Sequence, residues 1–236
     1  MMLNLDNLNI VLNNKKIVEN VSFKLDDGEI FSLLGHNGSW KTSILKSIMW
    51  LYKCDWKIIF NGEQIQYLEI FERANKWIWY IMQEVPEYTW IWVLQYVKWV
   101  LQDKYDEEKV RKQFDLFGID FDLYKNRNFD SQLSGGEKKK IEIIVSFLLD
   151  RQLYLLDEIE TSLDATSRTI LKNMILEKQT KWVSFIIVSH HEEIINLAEN
   201  GILLCDGKIQ NRGKTKELFE KYIWRCENCE IQNNCK

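Results

Sequence analysis

Gly35-His36-Asn37-Gly38-Ser39-Trp40-Lys41-Thr42 follows a short apolar run, EIFSLL, and opens a segment with helical spacing. A turn of this kind presents backbone N–H groups and a helix N-terminus to an anion. The pattern G-x-x-x-x-G-K-[ST] is met at every fixed position but one, because Trp40 stands where the second glycine belongs. Lys41 would reach the β- and γ-phosphates of a nucleotide, and Thr42 would ligate Mg²⁺. A lysine-bearing turn that binds nothing is the plainer alternative. A second acidic motif argues against it. Leu153-Tyr154-Leu155-Leu156-Asp157-Glu158 is an apolar strand ending in two carboxylates. Asp157 would hold Mg²⁺, and Glu158 would polarise an attacking water as general base.

Strands and helices must alternate to position these groups. Residues 3–12 and 17–25 read as strands, with a turn at Asp26-Asp27-Gly28 before the buried run 29–34. Residues 43–51, 106–118, 136–150, 167–179 and 192–199 read as helices. Residues 58–65 read as a strand and turn; 153–158 and 183–189 read as buried strands. Residues 202–213 form a hairpin-like pair turning at Asp206-Gly207. The alternation predicts an α/β fold with a mainly parallel sheet.

Composition bounds the function. The chain has 236 residues, 46% hydrophobic and 28% charged, an ordinary globular balance with room for a sizeable core. A net charge of −4 gives no basic footprint, so no nucleic-acid partner is expected. The run Lys138-Lys139-Lys140 reads as a solvated helix face. No apolar run approaches the ~18 residues of a membrane span, and the N-terminus lacks the features of a signal peptide. A cytoplasmic protein is expected.

Leu133-Ser134-Gly135-Gly136-Glu137 lies shortly before the Asp157 strand. Together with the phosphate loop it resembles the signature motif of ABC-type ATPases, over roughly residues 2–222. The resemblance implies a phosphate-loop NTPase fold: a mainly parallel core, an antiparallel β subdomain and a helical subdomain at about 84–145. By the same resemblance Gly35 to Ser43 hold ATP, Gln83 is the Q-loop glutamine that senses Mg²⁺, and Ser162-Leu163-Asp164 is the D-loop. His190 is the switch histidine that contacts the γ-phosphate. Glu158, His190 and Gln83 are then the catalytic residues, with Thr42, Gln83 and Asp157 around Mg²⁺. Two copies would dimerise head to tail on binding ATP, each nucleotide lying between one phosphate loop and the partner's Ser134–Glu137 segment and D-loop Asp164. Two departures stand out: Leu12 sits near where a base-stacking aromatic is usual, and Glu137 replaces glutamine. Both resemble the Suf branch of iron–sulfur cluster assembly, as do residues 133–143, 155–167, 184–191 and 83–88. That branch implies β-helical scaffold partners. The alternative is the ATP-binding subunit of a membrane transporter, peripheral at the membrane beside its permease.

Tryptophan usage is anomalous. There are ten tryptophans and only ten glycines, where average usage of ~7% predicts roughly 16 to 17 glycines. Trp40, Trp50, Trp56 and Trp79 fall where the family has glycine. Trp77, Trp90, Trp182 and Trp224 fall at turn-like positions. The reading is that the source organism translates UGA as glycine. A genuine Trp40 would instead make this a degenerate, non-hydrolysing scaffold.

Cys226, Cys229 and Cys235 crowd the C-terminus and offer three soft thiolates for Zn or an iron–sulfur cluster, which usually take four ligands. Cys205 or a partner would supply the fourth; incidental thiols on a tail are the plainer reading. The expected organisation is an ATPase domain over 1–222 and a cysteine-bearing tail over 223–236.

Overall fold

Strand β1 (Leu3–Leu12) alternates buried and exposed positions, as a half-buried antiparallel strand does. It pairs with β2 (Lys15–Leu25) from Leu3↔Leu25 to Leu12↔Lys15. The computed structural model describes residues 1–52, 56–130 and 132–228, with side chains described up to residue 222. The Cys226, Cys229 and Cys235 thiolates, the Trp224 side chain and Cys54 lie outside the described residues.

Two units are distinguished: residues 1–80, 151–158 and 178–236 form the first, and residues 81–150 and 159–177 the second. In the first unit β3 (Ile30–Gly35) is buried along its whole length. It leads through the phosphate loop into helix α1 (Lys41–Ile48). Strands β4 (Lys57–Phe60) and β5 (Glu63–Gln64) complete a sheet of order β2-β1-β4-β5. Helix α2 (Ile70–Asn75) then precedes β6 (Ile78–Ile81), whose last residue belongs to the second unit.

The second unit is helical. It holds α3 (Val93–Leu101), α4 (Glu107–Leu116), α5 (Phe121–Tyr124) and α6 (Gly135–Leu148). Tyr96 stacks on Phe129 with ring centroids 4.4 Å apart, and Phe114 meets Phe121 edge-on at 4.9 Å. Val110, Ile141, Ile144 and Val145 are buried in the same unit.

Strands β7 (Leu153–Asp157) and β8 (Ser184–Val188) flank helix α7 (Ala165–Gln179) in the chain. Helix α8 (Glu192–Ile195) is followed by β9 (Asn200–Cys205), β10 (Lys208–Lys214) and helix α9 (Thr215–Asn228). The main sheet runs β10-β9-β3-β8-β7-β6. β3, β7, β8 and β9 are parallel, and β10 returns antiparallel from the Asp206-Gly207 turn. This is the expected parallel core with an antiparallel sheet. Parallel pairing aligns the carboxyl ends of β3, β7 and β8, where ligands bind in such sheets. Leu33, Ile44, Leu45, Leu155, Ile186 and Ile202 share one core cluster beneath those ends.

Two expectations shift. Helix α8 stops at Ile195 rather than residue 199, because β9 already pairs Asn200 with Phe31 and the chain must straighten. Helix α1 spans Lys41–Ile48 rather than 43–51, since residue 50 turns left-handed at φ 64°. Helix α9 passes through residue 222 without a break. The lysine run is a correction of substance: it is not a solvated face. Lys139 is 1% exposed, and its ammonium donates to Glu142 at 2.7 Å and to the Met82 carbonyl. Lys138 pairs with Glu87 at 3.0 Å, and Lys140 with Asp164 at 2.7 Å. An ammonium loses its hydration on burial, so the helix places each one against an oxygen.

Candidate functional site

The sharp turn out of β3 is made by Gly35 and Gly38, both at positive φ. Ser39 N–H closes it on the His36 carbonyl at 3.0 Å. Residue 40 then enters α1 as its N-cap at φ 71°, ψ 25°, with no side-chain cap and no acidic residue in the first turn. The helix end is thus left polar and positive, as an anion site requires. Lys41 is buried; its ammonium donates to Gly35 O at 2.7 Å and His36 O at 3.0 Å. Burial pushes its pKa down, against the pull of Glu158 and Asp157. Trp40 packs on the main core cluster. With His36, Asn37, Gly38, Ser39, Lys15 and the strand-end residues Leu204 to Asp206, it lines a cavity of about 280 Å³. Leu12 also packs on that core, so no aromatic side chain of β1 stands at that position.

Thr42 Oγ–H donates to Asp157 Oδ1 at 3.0 Å, tying α1 to the end of β7. Tyr80 O–H donates to the other carboxylate oxygen at 2.7 Å. Asp157 is fully buried; desolvation raises its pKa, and the Tyr80 and Thr42 hydroxyls oppose the rise. Hydroxyl and carboxylate oxygens are the hard donors Mg²⁺ takes, so the set fits that ion.

Glu158 sits in the left-handed region at φ 49°. That conformation is strained for a side-chain-bearing residue and accumulates at functional positions. Its N–H is held by Val188 O at 2.9 Å, and its carboxylate lies 3.1 Å from His190 Nε2. The His190 bond, first, keeps the Glu158 carboxyl below its usual range. Tyr222 on α9 comes within 3.5 Å of His190 Nδ1 and packs on the His36 ring at 4.9 Å. Burial and the neighbouring Lys41 and His190 lower the pKa of His36.

The first unit therefore gathers residues 35–43, Asp157, Glu158 and His190. Gln83, Ser134 to Glu137 and Asp164 belong to the second unit. There Ser134 opens α6 as its N-cap: Glu137 N–H donates to Ser134 Oγ at 3.3 Å, and Ser134 N–H donates to Glu137 Oε2 at 2.7 Å. Tyr124 O–H donates to the same Glu137 carboxylate. A Cβ on Gly136 would stand 3.0 Å from the Ser162 carbonyl, so glycine lets the start of α6 approach the turn at Ser162. Asp164 accepts from Ser167 N–H at 2.8 Å and pairs with Lys140. Tyr80, Tyr222 and Lys140 are contacts the motifs do not announce. Tyr80 lies three residues before Gln83 in an aromatic strand, which is the only sequence cue for any of them. No cluster of His, Cys, Asp and Glu able to hold a metal by itself occurs among the described residues.

The family profile described as ABC transporter matches residues 18–161. An uncharacterized ABC transporter ATP-binding protein of Methanocaldococcus jannaschii is 31% identical over 238 residues, covering 97% of this chain and 95% of that protein. The lipopolysaccharide export system ATP-binding protein LptB of Haemophilus influenzae is 28% identical, covering 91% of each chain. Among solved structures, an ATP-binding subunit of an ABC transporter superposes with a TM-score of 0.81 at 20% identity, over 99% of this chain and 97% of that one. A dimeric ATP-binding cassette bound to ADP and Pi in a post-hydrolysis state superposes with a TM-score of 0.79 at 20% identity, over 91% and 99%. At that identity the superpositions establish the fold; the profile and the archaeal relative establish the family. The chain belongs to the ABC transporter ATP-binding family, the ABC-type ATPases.

Proposed function

We propose that this chain hydrolyses Mg-ATP at a head-to-tail dimer interface and transmits the resulting opening and closing to a partner protein. The observation that supports this most is the pairing at the carboxyl ends of β7 and β8. Thr42 and Asp157 stand 3.0 Å apart beside the phosphate loop, and Glu158 stands 3.1 Å from His190. In this reading Lys41 leaves its two loop carbonyls for the β- and γ-phosphates. Glu158 accepts a proton from the attacking water; His190 orients that carboxylate and contacts the γ-phosphate. Thr42 and Asp157 would hold Mg²⁺, and that ion would neutralise charge developing on the phosphate oxygens. Ser134 to Glu137 and Asp164 serve the partner copy's nucleotide.

The partner is proposed to be a membrane permease. Relatives carry names such as LptB of lipopolysaccharide export, matched over 91% of its length, and MetN of methionine import, matched over 71% of its length. No helix among the described residues is long and apolar enough to cross a membrane. A second reading, a Suf-type ATPase on a β-helical scaffold, is supported by residues 133–143, 155–167 and 184–191 and by Glu137 in the signature. Under either reading the work is done on the cytoplasmic side.

The test is an ATPase assay on chain purified from its source, as a function of protein concentration. Turnover rising more steeply than first order in protein supports the dimer. Glu158→Gln should keep nucleotide binding and lower turnover by about 10²–10⁴-fold, the weight of one general base. Turnover unchanged by that substitution overturns the assignment. Co-purification with an integral membrane protein supports the permease; co-purification with soluble β-helical proteins supports the Suf reading.

A further inference from the structure

Thirteen described residues other than glycine have a positive φ in the left-handed region. Six are Asn or Asp, whose short side chains tolerate it, and two are Gln102 and Glu158. The remaining five are all tryptophan: Trp40, Trp50, Trp77, Trp90 and Trp182, at φ between 63° and 73°. None of the eleven phenylalanines or nine tyrosines joins them. Bulky residues adopt this region in about a few per cent of cases at most, so ten tryptophans should supply fewer than one. Seven of the ten glycines are there, Gly28, Gly38, Gly62, Gly118 and Gly207 among them at φ 69° to 83°. In backbone terms, half of the tryptophans behave as glycines do.

The helix ends show the same substitution in place. After α4, Gly118 N–H donates to Asp115 O and Ile119 N–H to Phe114 O. That paired closure needs a left-handed residue at its first position, and glycine supplies it. After α1 the same two bonds run from Trp50 N–H to Ser47 O and from Leu51 N–H to Lys46 O. After α7 they run from Trp182 N–H to Gln179 O and from Val183 N–H to Lys178 O. After α2, Trp77 N–H makes the first of the two to Ala74 O. The indoles fit poorly as well. Trp90 is 88% exposed and Trp182 73%, while the buried Nε1 of Trp50 lacks an acceptor.

We infer that residues 40, 50, 77, 90 and 182 are glycine in the protein its source organism makes, the codon written here as tryptophan being read there as glycine. The set differs from the one suggested by family positions. Trp79 has no positive φ, so its backbone suits any residue, whereas Trp77, Trp90 and Trp182, turn-like in the sequence, join the set on conformation. The consequence for the site lies at residue 40. Its φ of 71° and ψ of 25° are the entry to α1, and its peptide is part of the cradle that must approach the phosphates. With glycine there the loop keeps its observed path, and no indole narrows the 280 Å³ cavity beside it.

Peptide mass spectrometry on the native protein tests this independently of any ATPase activity. Glycine at the five positions is expected, encoded by UGA. Tryptophan in those peptides, or UGG in the gene, overturns the inference. A second measurement uses recombinant protein, as written and with the five Trp→Gly substitutions. The substituted chain should melt at higher temperature, and Trp40→Gly alone should tighten Mg-ATP binding by about 10²-fold, the scale of an ångström-sized displacement in a site. A lower melting temperature for the five-fold variant, with unchanged binding for Trp40→Gly, would also overturn it.

Discussion

Two helices begin at the two glycine-bearing motifs of the chain, and they begin in opposite ways. Helix α1 starts bare: no side chain caps it, and its first turn holds no acid. Helix α6 starts closed, with Ser134 and Glu137 capping each other's N–H groups and Tyr124 fixing the carboxylate. Both ends carry the positive pole of a helix dipole. The first leaves that pole uncapped beside a buried Lys41; the second satisfies itself and holds its shape. The lysines follow the same division. Lys41 rests on backbone carbonyls that a phosphate can replace, whereas Lys139 is locked to Glu142 inside its own helix.

The largest effect should come from breaking that lock. Lys139→Met leaves the buried Glu142 without its cation and should cost about 3–5 kcal/mol in chemical denaturation near neutral pH. Adding Glu142→Leu should recover most of the loss, because an apolar pair replaces an ionic one. If Lys139→Met is neutral, α6 does not depend on internal charge and the contrast fails. Lys41→Ala should act in the reverse sense. Mg-ATP affinity should fall by about 10²-fold, the worth of one or two hydrogen bonds to a charged group, read by titration. Its melting temperature should hold or rise, because burial disfavours the charge that is removed.

Much of this was legible before the structure. The runs EIFSLL and LYLLDE are apolar without alternation, so they had to be buried strands, and their ends had to carry the loop and the carboxylates. The signature and phosphate loops were readable because fixed spacing there reflects backbone geometry. The lysine run was misread because three adjacent lysines on a helix project in three directions. Whether each meets water or a carboxylate depends on Glu87, Asp164 and Glu142, of which only Glu142 is a helical neighbour. Tyr80 on Asp157 and Tyr222 on His190 join residues 77 and 32 positions apart, and no local pattern encodes such pairs. The left-handed tryptophans were visible in the sequence, Trp40 and Trp50 at family glycines and Trp77, Trp90 and Trp182 at turn-like positions, but φ was needed to single out these five.

The capping box offers the smaller tests. Ser134→Ala removes the acceptor for Glu137 N–H and should cost about 1 kcal/mol, with nucleotide affinity of the single chain unchanged. The smallest effect is one of pH. The Tyr124 hydroxyl, first, and the Ser134 bonds hold the Glu137 carboxyl below its ordinary range. A carboxylate depressed in the folded state contributes stability above the unfolded value of ~4.3 and loses it as pH falls through the folded value. Melting curves of the chain and of Glu137→Gln should therefore differ near neutrality and converge below about pH 4.3. A gap that persists into acid would mean that Glu137 acts by shape rather than charge. The closed end of α6 would then resemble the bare end of α1 more than its hydrogen bonds suggest.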